Sequence, residues 1–361
     1  MINVLIWVFA FLIFNLIVFA HELGHYSTGR LFGVKINEFA IGMGPTIAKF
    51  KKNDTVYSLR SFPIGGFCEL EGEEKESKSK HSFGKISVWK RVIVLAAGGL
   101  MNLLIGLIFS VILTLSYESV PTTTISGFIE SSVSDRFGLK TGDEILSING
   151  YKTHIDRDVW FALSMNFNKN SSVDIEVLRN GKYMLVKNVK IKSVEEKGIV
   201  KGFEIDFYLL GVKKTLLNVL NYSVMNIVFF VRLTYKSITD LISGRLSIKD
   251  MSGPVGVATK IGEITDQGLK SGISEAILNI LSFMTMFTIS IGIFNLLPFP
   301  ALDGGRIIML IPEAITGKHL DQKIETIINI IGFGMFILLT IAVTYNDIMK
   351  IIKGFLVSSS L

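Results

Sequence analysis

The stretch "VFAHELGHYS" at residues 18–27 places two histidines and a glutamate directly behind a run of residues without charge. On a helix, His21 and His25 are four positions apart and share one face, close enough for both imidazoles to grip a single zinc ion. Glu22 stands beside the first histidine, where its carboxylate can take a proton from an attacking water. That division of labour is the content of the H-E-x-x-H pattern, and the chemistry it serves is metal-assisted hydrolysis of a peptide bond. The setting sharpens the reading. Each unpaired charge at membrane depth opposes insertion by about 2.5–3.5 kcal/mol, a cost that a bound metal offsets and a chance pattern does not.

A second stretch, "NLLPFPALDGG" at 295–305, carries the complementary donor. Pro298 and Pro300 each remove a backbone N–H and disfavour a continuous helix, so the chain should open there. Irregular backbone at membrane depth is tolerated only where protein or a water-filled cavity surrounds it. Asp303, followed by Gly304 and Gly305, is therefore presented on a break at the end of an apolar segment. An Asp in that position also commonly marks the water boundary. Paired with His21 and His25 on the same side of the membrane it becomes a third ligand, and two histidines, one carboxylate and an open position for water make a catalytic zinc set.

These residues must be positioned by membrane helices. Of the 361 residues 49% are hydrophobic, and mean hydropathy is +0.49. Four stretches free of Asp, Glu, Lys, Arg and His reach spanning length: Met1–Ala20, Val92–Tyr117, Ala276–Leu302 and Thr326–Asn346. Each meets the requirement of about 17–25 residues for a helix crossing the hydrocarbon core. A cleaved signal peptide is disfavoured for the first, which lacks Lys or Arg in its first ten residues and a small-residue cleavage pattern. The net charge of +6 does not point to nucleic acid, because the basic residues are scattered or lie beside spans, where they set topology and meet anionic lipid. Cys68 is the single cysteine, so no intramolecular disulfide forms.

The segment "KESKSKHSFGKISVWKR", with six basic residues among 17, ends the polar region before the second span. By the positive-inside tendency this region is cytoplasmic and the N-terminus is outside, so the His21–His25 face lies toward the cytoplasm. Lys350 and Lys353 then fall outside, a mild violation. "FAIGMGPTIAKF" and "TVYSLRSFPIGGFCELEGE" read as β-hairpins at the membrane surface, although an ordinary solvated loop has a similar composition. Residues 118–208 alternate apolar and polar residues between turn signals such as Asn180-Gly181, which predicts a small mixed β domain. Thr215–Val231 is uncharged for 17 residues but interrupted by Asn218, Asn221 and Asn226. Parity decides its reading. If it lies in the interface, the third span runs inward and brings Asp303 to the same face as His21 and His25; if it crosses, Asp303 ends on the opposite side.

Taken together, "HELGH" and "NLLPFPALDGG" in this order, flanking "RFGLKTGDEILSINGYKT", resemble the bacterial, PDZ-containing subgroup of the site-2 protease family, intramembrane zinc metalloproteases of regulated intramembrane proteolysis. "SGPVGVA" and "FPIGG" are similar to further segments of that subgroup, and the resemblance covers nearly the whole length. It implies that His21, His25 and Asp303 bind Zn2+, that Glu22 is general base and acid, and that Asn295, with Pro298 and Pro300 beside it, holds the substrate backbone near the metal. A hairpin within 36–65, with the glycines Gly42, Gly44, Gly65 and Gly66 of its loops, would receive the substrate as an added strand. This has a physical rationale, since a transmembrane helix hides its peptide bonds until it is unwound and paired elsewhere. The implied substrate is a single-pass membrane protein of the anti-sigma-factor or remnant-signal-peptide type, cut at the bacterial plasma membrane from the cytoplasmic side. The PDZ-like segment lacks a G-L-G-F-type carboxylate loop, which leaves open whether it binds peptide or acts as a size filter on substrate ectodomains.

The expected fold is a polytopic α-helical membrane protein with about four transmembrane helices, a cytoplasmic-side β-hairpin region and one extracytoplasmic PDZ-like α/β domain. The segments run 1–25, 26–91, 92–117, 118–208 (PDZ-like), 209–275 (interfacial helix and linker), 276–303, 304–325, 326–346 and 347–361. Two rivals use the same features differently. A PDZ-bearing scaffold without activity would tolerate loss of Glu22. A metal or proton transporter would show repeated broken helices, and neither "HELGH" nor "LDGG" has a second copy.

Overall fold

The computed structural model describes residues 2–73, 77–166, 172–196, 199–247, 251–317 and 322–358. The chain divides into two compact units, Met1–Phe109 with Phe230–Leu361, and Ser110–Phe229.

The first unit is built on helices: α1 (Ile2–Leu31), α2 (Val88–Ser116, which continues into the second unit), α5 (Pro254–Ser271), α6 (Ile273–Asn295), α7 (Asp303–Thr316) and α8 (Gln322–Ser358). Without a hydrophobic driving force in lipid, helices associate where small residues let backbones approach. Here α2 supplies them. A Cβ on Gly99 would stand 2.8 Å from the Gly292 carbonyl oxygen, and a Cβ on Gly106 would overlap Ile289, so α2 and α6 pack closely and run antiparallel. A Cβ on Gly24 would likewise overlap the Ala97 carbonyl, which brings α1 against α2. On α8, by contrast, Ile327, Ile330, Leu338 and Ile341 are all exposed, an apolar surface that only lipid can solvate.

Between α1 and α2 lie β1 (Ile36–Lys52) and β2 (Thr55–Leu70), an antiparallel pair that bends back on itself. Phe39 faces both Cys68 and Tyr57, and Ile41 faces both Gly66 and Leu59, while Lys49 faces Ser58 and Phe50 faces Tyr57. The result is four rungs in the order 46–52, 55–60, 36–41 and 66–70. Gly42, Gly44 and Gly65 adopt φ of +84°, +84° and +86° at the bends, a left-handed conformation that side chains disfavour. Among the described residues, rung 66–70 pairs on one side only.

The second unit holds a sheet with strand order β10-β3-β4-β6-β7, formed by β3 (Val120–Phe128), β4 (Glu144–Ile148), β6 (Ser172–Arg179), β7 (Lys182–Lys190) and β10 (Phe207–Val212), with β5 (Tyr151–Lys152) paired to β4. The helix α3 (Asp156–Asn166) covers a core of Ile125, Ile145, Ile148, Val159, Leu163, Ile175 and Val177. A separate pair, β8 (Lys192–Glu196) and β9 (Ile199–Glu204), precedes β10. Asn180 and Gly181 both take positive φ, +51° and +74°, in the two-residue turn that their sequence predicts.

The helix count differs from the sequence reading. Among the described residues five helices, not four, are long and apolar enough to cross a membrane, the additional one being α4 (Leu216–Ile242). Its uncharged stretch is short, but the helix runs 27 residues and carries its apolar side chains past the three asparagines and Arg232. Length and composition alone do not make it a span. At the coarser level the reading stands: this is a multi-pass membrane protein containing helices and β-sheets.

Candidate active site

The α1 helix continues unbroken through residues 18–27, so the four-residue spacing of His21 and His25 is realised on one face. Their Nε2 atoms are 3.2 Å apart. Asp303 arrives from the other end of the unit. After α6 stops at Asn295, residues 296–302 form the break that Pro298 and Pro300 predict, and α7 begins at Asp303 itself. Ala301 in the break has φ of +72°, strain that a non-glycine residue holds only where its surroundings impose it. Its N–H donates to Asn329 Oδ1 of α8 at 3.3 Å. Cβ atoms on Gly304 and Gly305 would overlap the backbone at Leu296 and Phe299, so the turn closes tightly enough to deliver the carboxylate.

The Asp303 Oδ2 atom lies 3.4 Å from Nε2 of both His21 and His25. Three donor atoms thus form a triangle with edges of 3.2, 3.4 and 3.4 Å. Tetrahedral zinc with bonds of about 2.0–2.1 Å separates its ligand atoms by about 3.3–3.4 Å, and the three residues fit that ion without rearrangement. Asp303 Oδ2 is also buried without a hydrogen-bond partner, an orphaned acceptor that a cation would satisfy.

The surroundings orient these groups. His25 Nδ1 lies 2.9 Å from the Val94 carbonyl oxygen, which accepts its proton and leaves Nε2 free toward the metal position. The side-chain nitrogen of Asn295 is 3.4 Å from His21 Nδ1, so Asn295 reaches the same cluster. Glu22 accepts a hydrogen bond from the Cys68 backbone N–H, and Gly66 passes so close that an added Cβ would lie 3.7 Å from Glu22 Cγ. Burial, then the nearby Glu22 carboxylate, push the Cys68 thiol well above its usual range, so it stays neutral beside the site.

Of the glycines expected at the substrate strand, the structure brings Gly66 to Glu22, whereas Gly65 backs onto Met43 and Gly42 and Gly44 back onto Phe62 at the bends. Pro300 packs against Gly332 of α8, where an added Cβ would overlap the proline ring. The Val94 carbonyl, the Cys68 N–H and Gly98 also reach this cluster and are not among the residues the motifs single out. A Cβ on Gly98 would overlap His25 Nε2. The run "AAGG" at 96–99 inside an apolar helix was the available signal, since small residues there mark close approach.

The family model for peptidase family M50 matches residues 9–339, including every member of the cluster. The chain belongs to peptidase family M50. Its relatives agree along their whole length. A Clostridium acetobutylicum protein described as a candidate zinc metalloprotease is 32% identical over 94% of this chain and 96% of its own. The regulator of sigma-W protease RasP of Bacillus subtilis is 29% identical over 94% and 97%, and the zinc metalloprotease RasP of Shouchella clausii 30% over 94% and 97%. This M50 chain is accordingly a zinc metalloprotease of the site-2 type, embedded in a membrane, and the scaffold and transporter readings fall away.

Proposed function

We propose that His21, His25 and Asp303 hold the zinc ion, that Glu22 is the general base and acid, and that the enzyme cuts single-pass transmembrane proteins at the cytoplasmic side of a bacterial plasma membrane. The carrying observation is the donor triangle with Glu22 beside it. When bound, zinc supplies a Lewis acid that polarises the scissile carbonyl and acidifies water. Glu22, held by the Cys68 N–H, takes the proton of the attacking water and passes it to the leaving nitrogen. Asn295 stands next to His21, placed to steady the substrate backbone. The peptide enters as an added strand on the open edge of rung 66–70, which runs past Glu22 and repairs the hydrogen bonds that an unwound transmembrane helix loses.

The topology follows from the same cluster. α2 leads outward from the basic cytoplasmic segment, α6 runs antiparallel to it, and Asp303 returns to the level of His21. This requires α4 to stay in the interface. Tyr222 donates to Asp156 at 2.8 Å and the Phe229 ring meets Phe161 edge-on, so the first half of α4 is tied to α3 of the sheet domain. Gly253 and Gly256, at the start of α5, donate to Asp347 of α8 at 2.8 and 2.7 Å. Asp347 lies 18 residues, about 27 Å of helix, beyond Asn329, which touches the active-site break. On this reading the Asp347 end of α8 is the outer one, and the contact of α5 with it supports a helix α4 that does not cross.

The sheet domain over 118–208 is read as PDZ-like and extracytoplasmic. Without a G-L-G-F-type loop it acts sterically, admitting substrates whose outer part has been trimmed. The anti-sigma-factor or remnant-signal-peptide class fits this entry rule, and the name of the Bacillus relative, a regulator of sigma-W protease, agrees with the first. The test is reconstitution in proteoliposomes with a single-pass model substrate carrying a short or a bulky outer domain, with fragments mapped by mass spectrometry. Cleavage inside the apolar segment, with the bulky substrate spared, is expected. Cuts confined to residues outside the bilayer overturn the proposal.

A further inference from the structure

Asp303 needs something to hold it, and the helix start alone does not do so. Leu302, the residue before α7, offers no side-chain hydrogen bond to the first turn, and Asp303 directs its own carboxylate at the imidazoles. One turn on, Arg306 makes an ion pair with Glu73 through Nη1 and Oε1. Both side chains are largely withdrawn from solvent, with 27% and 16% exposure, where an ion pair is held by geometry and not by chance encounter. Glu73 sits three residues past the end of β2, and its N–H donates to the Leu70 carbonyl at 3.3 Å. The strand behind it is rung 66–70, whose Cys68 N–H bonds Glu22. A short covalent and hydrogen-bonded path therefore leads from Glu22 through Cys68, Leu70 and Glu73 to Arg306 and Asp303.

We propose that Glu73 and Arg306 are a positioning pair, which anchors the first turn of α7 to the end of β2 and so holds the Asp303 carboxylate over the two imidazoles, in register with the strand beside Glu22. This rests on reading His21, His25 and Asp303 as the metal ligands. The molecule contains its own comparison. Arg91 of α2 pairs with Glu313 near the other end of α7, also buried, ten residues and about 15 Å of helix from Asp303. Both pairs fasten α7, but only one fastens the turn that bears the ligand.

The experiment is titration of the detergent-purified, full-length apoprotein with Co2+ in place of zinc, followed by its visible absorption, on wild type, Glu73→Gln, Arg306→Gln, Arg306→Lys, the exchange Glu73→Arg with Arg306→Glu, and Arg91→Gln. Partners that orient ligands are commonly worth 10–100-fold in metal affinity. Glu73→Gln and Arg306→Gln should bind Co2+ about 10–100-fold more weakly with an altered spectrum. Arg306→Lys and the exchange should recover part of that loss. Arg91→Gln should lower the melting temperature and leave affinity and spectrum as in wild type. If Arg306→Gln does not fold, as judged by circular dichroism and size exclusion, Glu73→Gln against Arg306→Lys decides. Wild-type affinity and spectrum in both Gln variants, or an equal loss in Arg91→Gln, overturns the positioning pair while leaving the ligand assignment intact. Failure of wild type itself to bind Co2+ overturns the ligand assignment.

Discussion

Gly98 is where a single added atom would strike the histidine cluster itself. It lies on α2 with its Cα facing the two histidines, and a Cβ there would overlap His25 Nε2 and stand 2.7 Å from Cε1 of His21 and 2.8 Å from Cε1 of His25. Ordinary carbon contacts begin near about 3.4 Å, so in Gly98→Ala the imidazoles must retreat or α1 must part from α2. The Gly24–Ala97 contact lies in the same seam, which leaves the helices little freedom to separate. Overpacking of this kind costs about 1–3 kcal/mol. If the strain falls on the ligands, zinc affinity drops roughly 5- to 150-fold at 1.4 kcal/mol per decade. The assay is competition of the purified variant with a chromophoric chelator, alongside melting of the apoprotein. Gly334→Ala on α8, where nothing lies within 4 Å of an added Cβ, is the control. Wild-type zinc affinity and cleavage in Gly98→Ala would refute the packing of α2 against the histidines.

Three further outcomes follow from the same geometry. Asp303→Asn, which keeps the side chain's size and removes its charge, should fold and lose zinc affinity by at least about tenfold in the same chelator competition. Gly66→Val, whose Cβ would lie 2.7 Å from the Ala40 carbonyl beside Glu22, should spoil the substrate edge, raising KM or abolishing cleavage of a membrane substrate while metal content is retained. Glu313→Ala, which leaves Arg91 without its buried carboxylate partner, should destabilise the protein by about 3–5 kcal/mol, read as a fall in melting temperature with zinc stoichiometry unchanged.

The cluster was legible because its signals are local. The spacing of His21 and His25 needs only a helix to place both imidazoles on one face, and Pro298 and Pro300 announce the break that frees Asp303. That the two halves meet was accessible through topology, since only one assignment of inward and outward spans puts them on one side. The bends of β1 and β2 were visible as glycines, but which glycine meets Glu22 was not: Gly66 does so because the sheet folds over itself, a tertiary fact that neither period nor composition encodes. The same holds for Val94, Gly98 and Cys68, which act through backbone or through the absence of a side chain. Glu73 and Arg306, 233 residues apart, are ordinary charges in the sequence and acquire meaning only once β2 and α7 are side by side. The fifth long helix was obscured by Asn218, Asn221 and Asn226, polar residues that shorten an apolar run without interrupting the helix. Tyr222 and Asn226 on the same stretch find partners in Asp156 and Ser110.

The roles of the zinc ligands and of Glu22 separate in a comparison of wild type with Glu22→Gln, measuring zinc per chain and cleavage of a single-pass substrate in the same detergent-purified samples. Gln preserves the shape of the side chain and cannot act as a base. One zinc per chain is expected in both proteins, with cleavage only in wild type. Equal cleavage by the two would contradict the assignment of Glu22, and absence of zinc from a wild type that still cleaves would contradict the metal site itself.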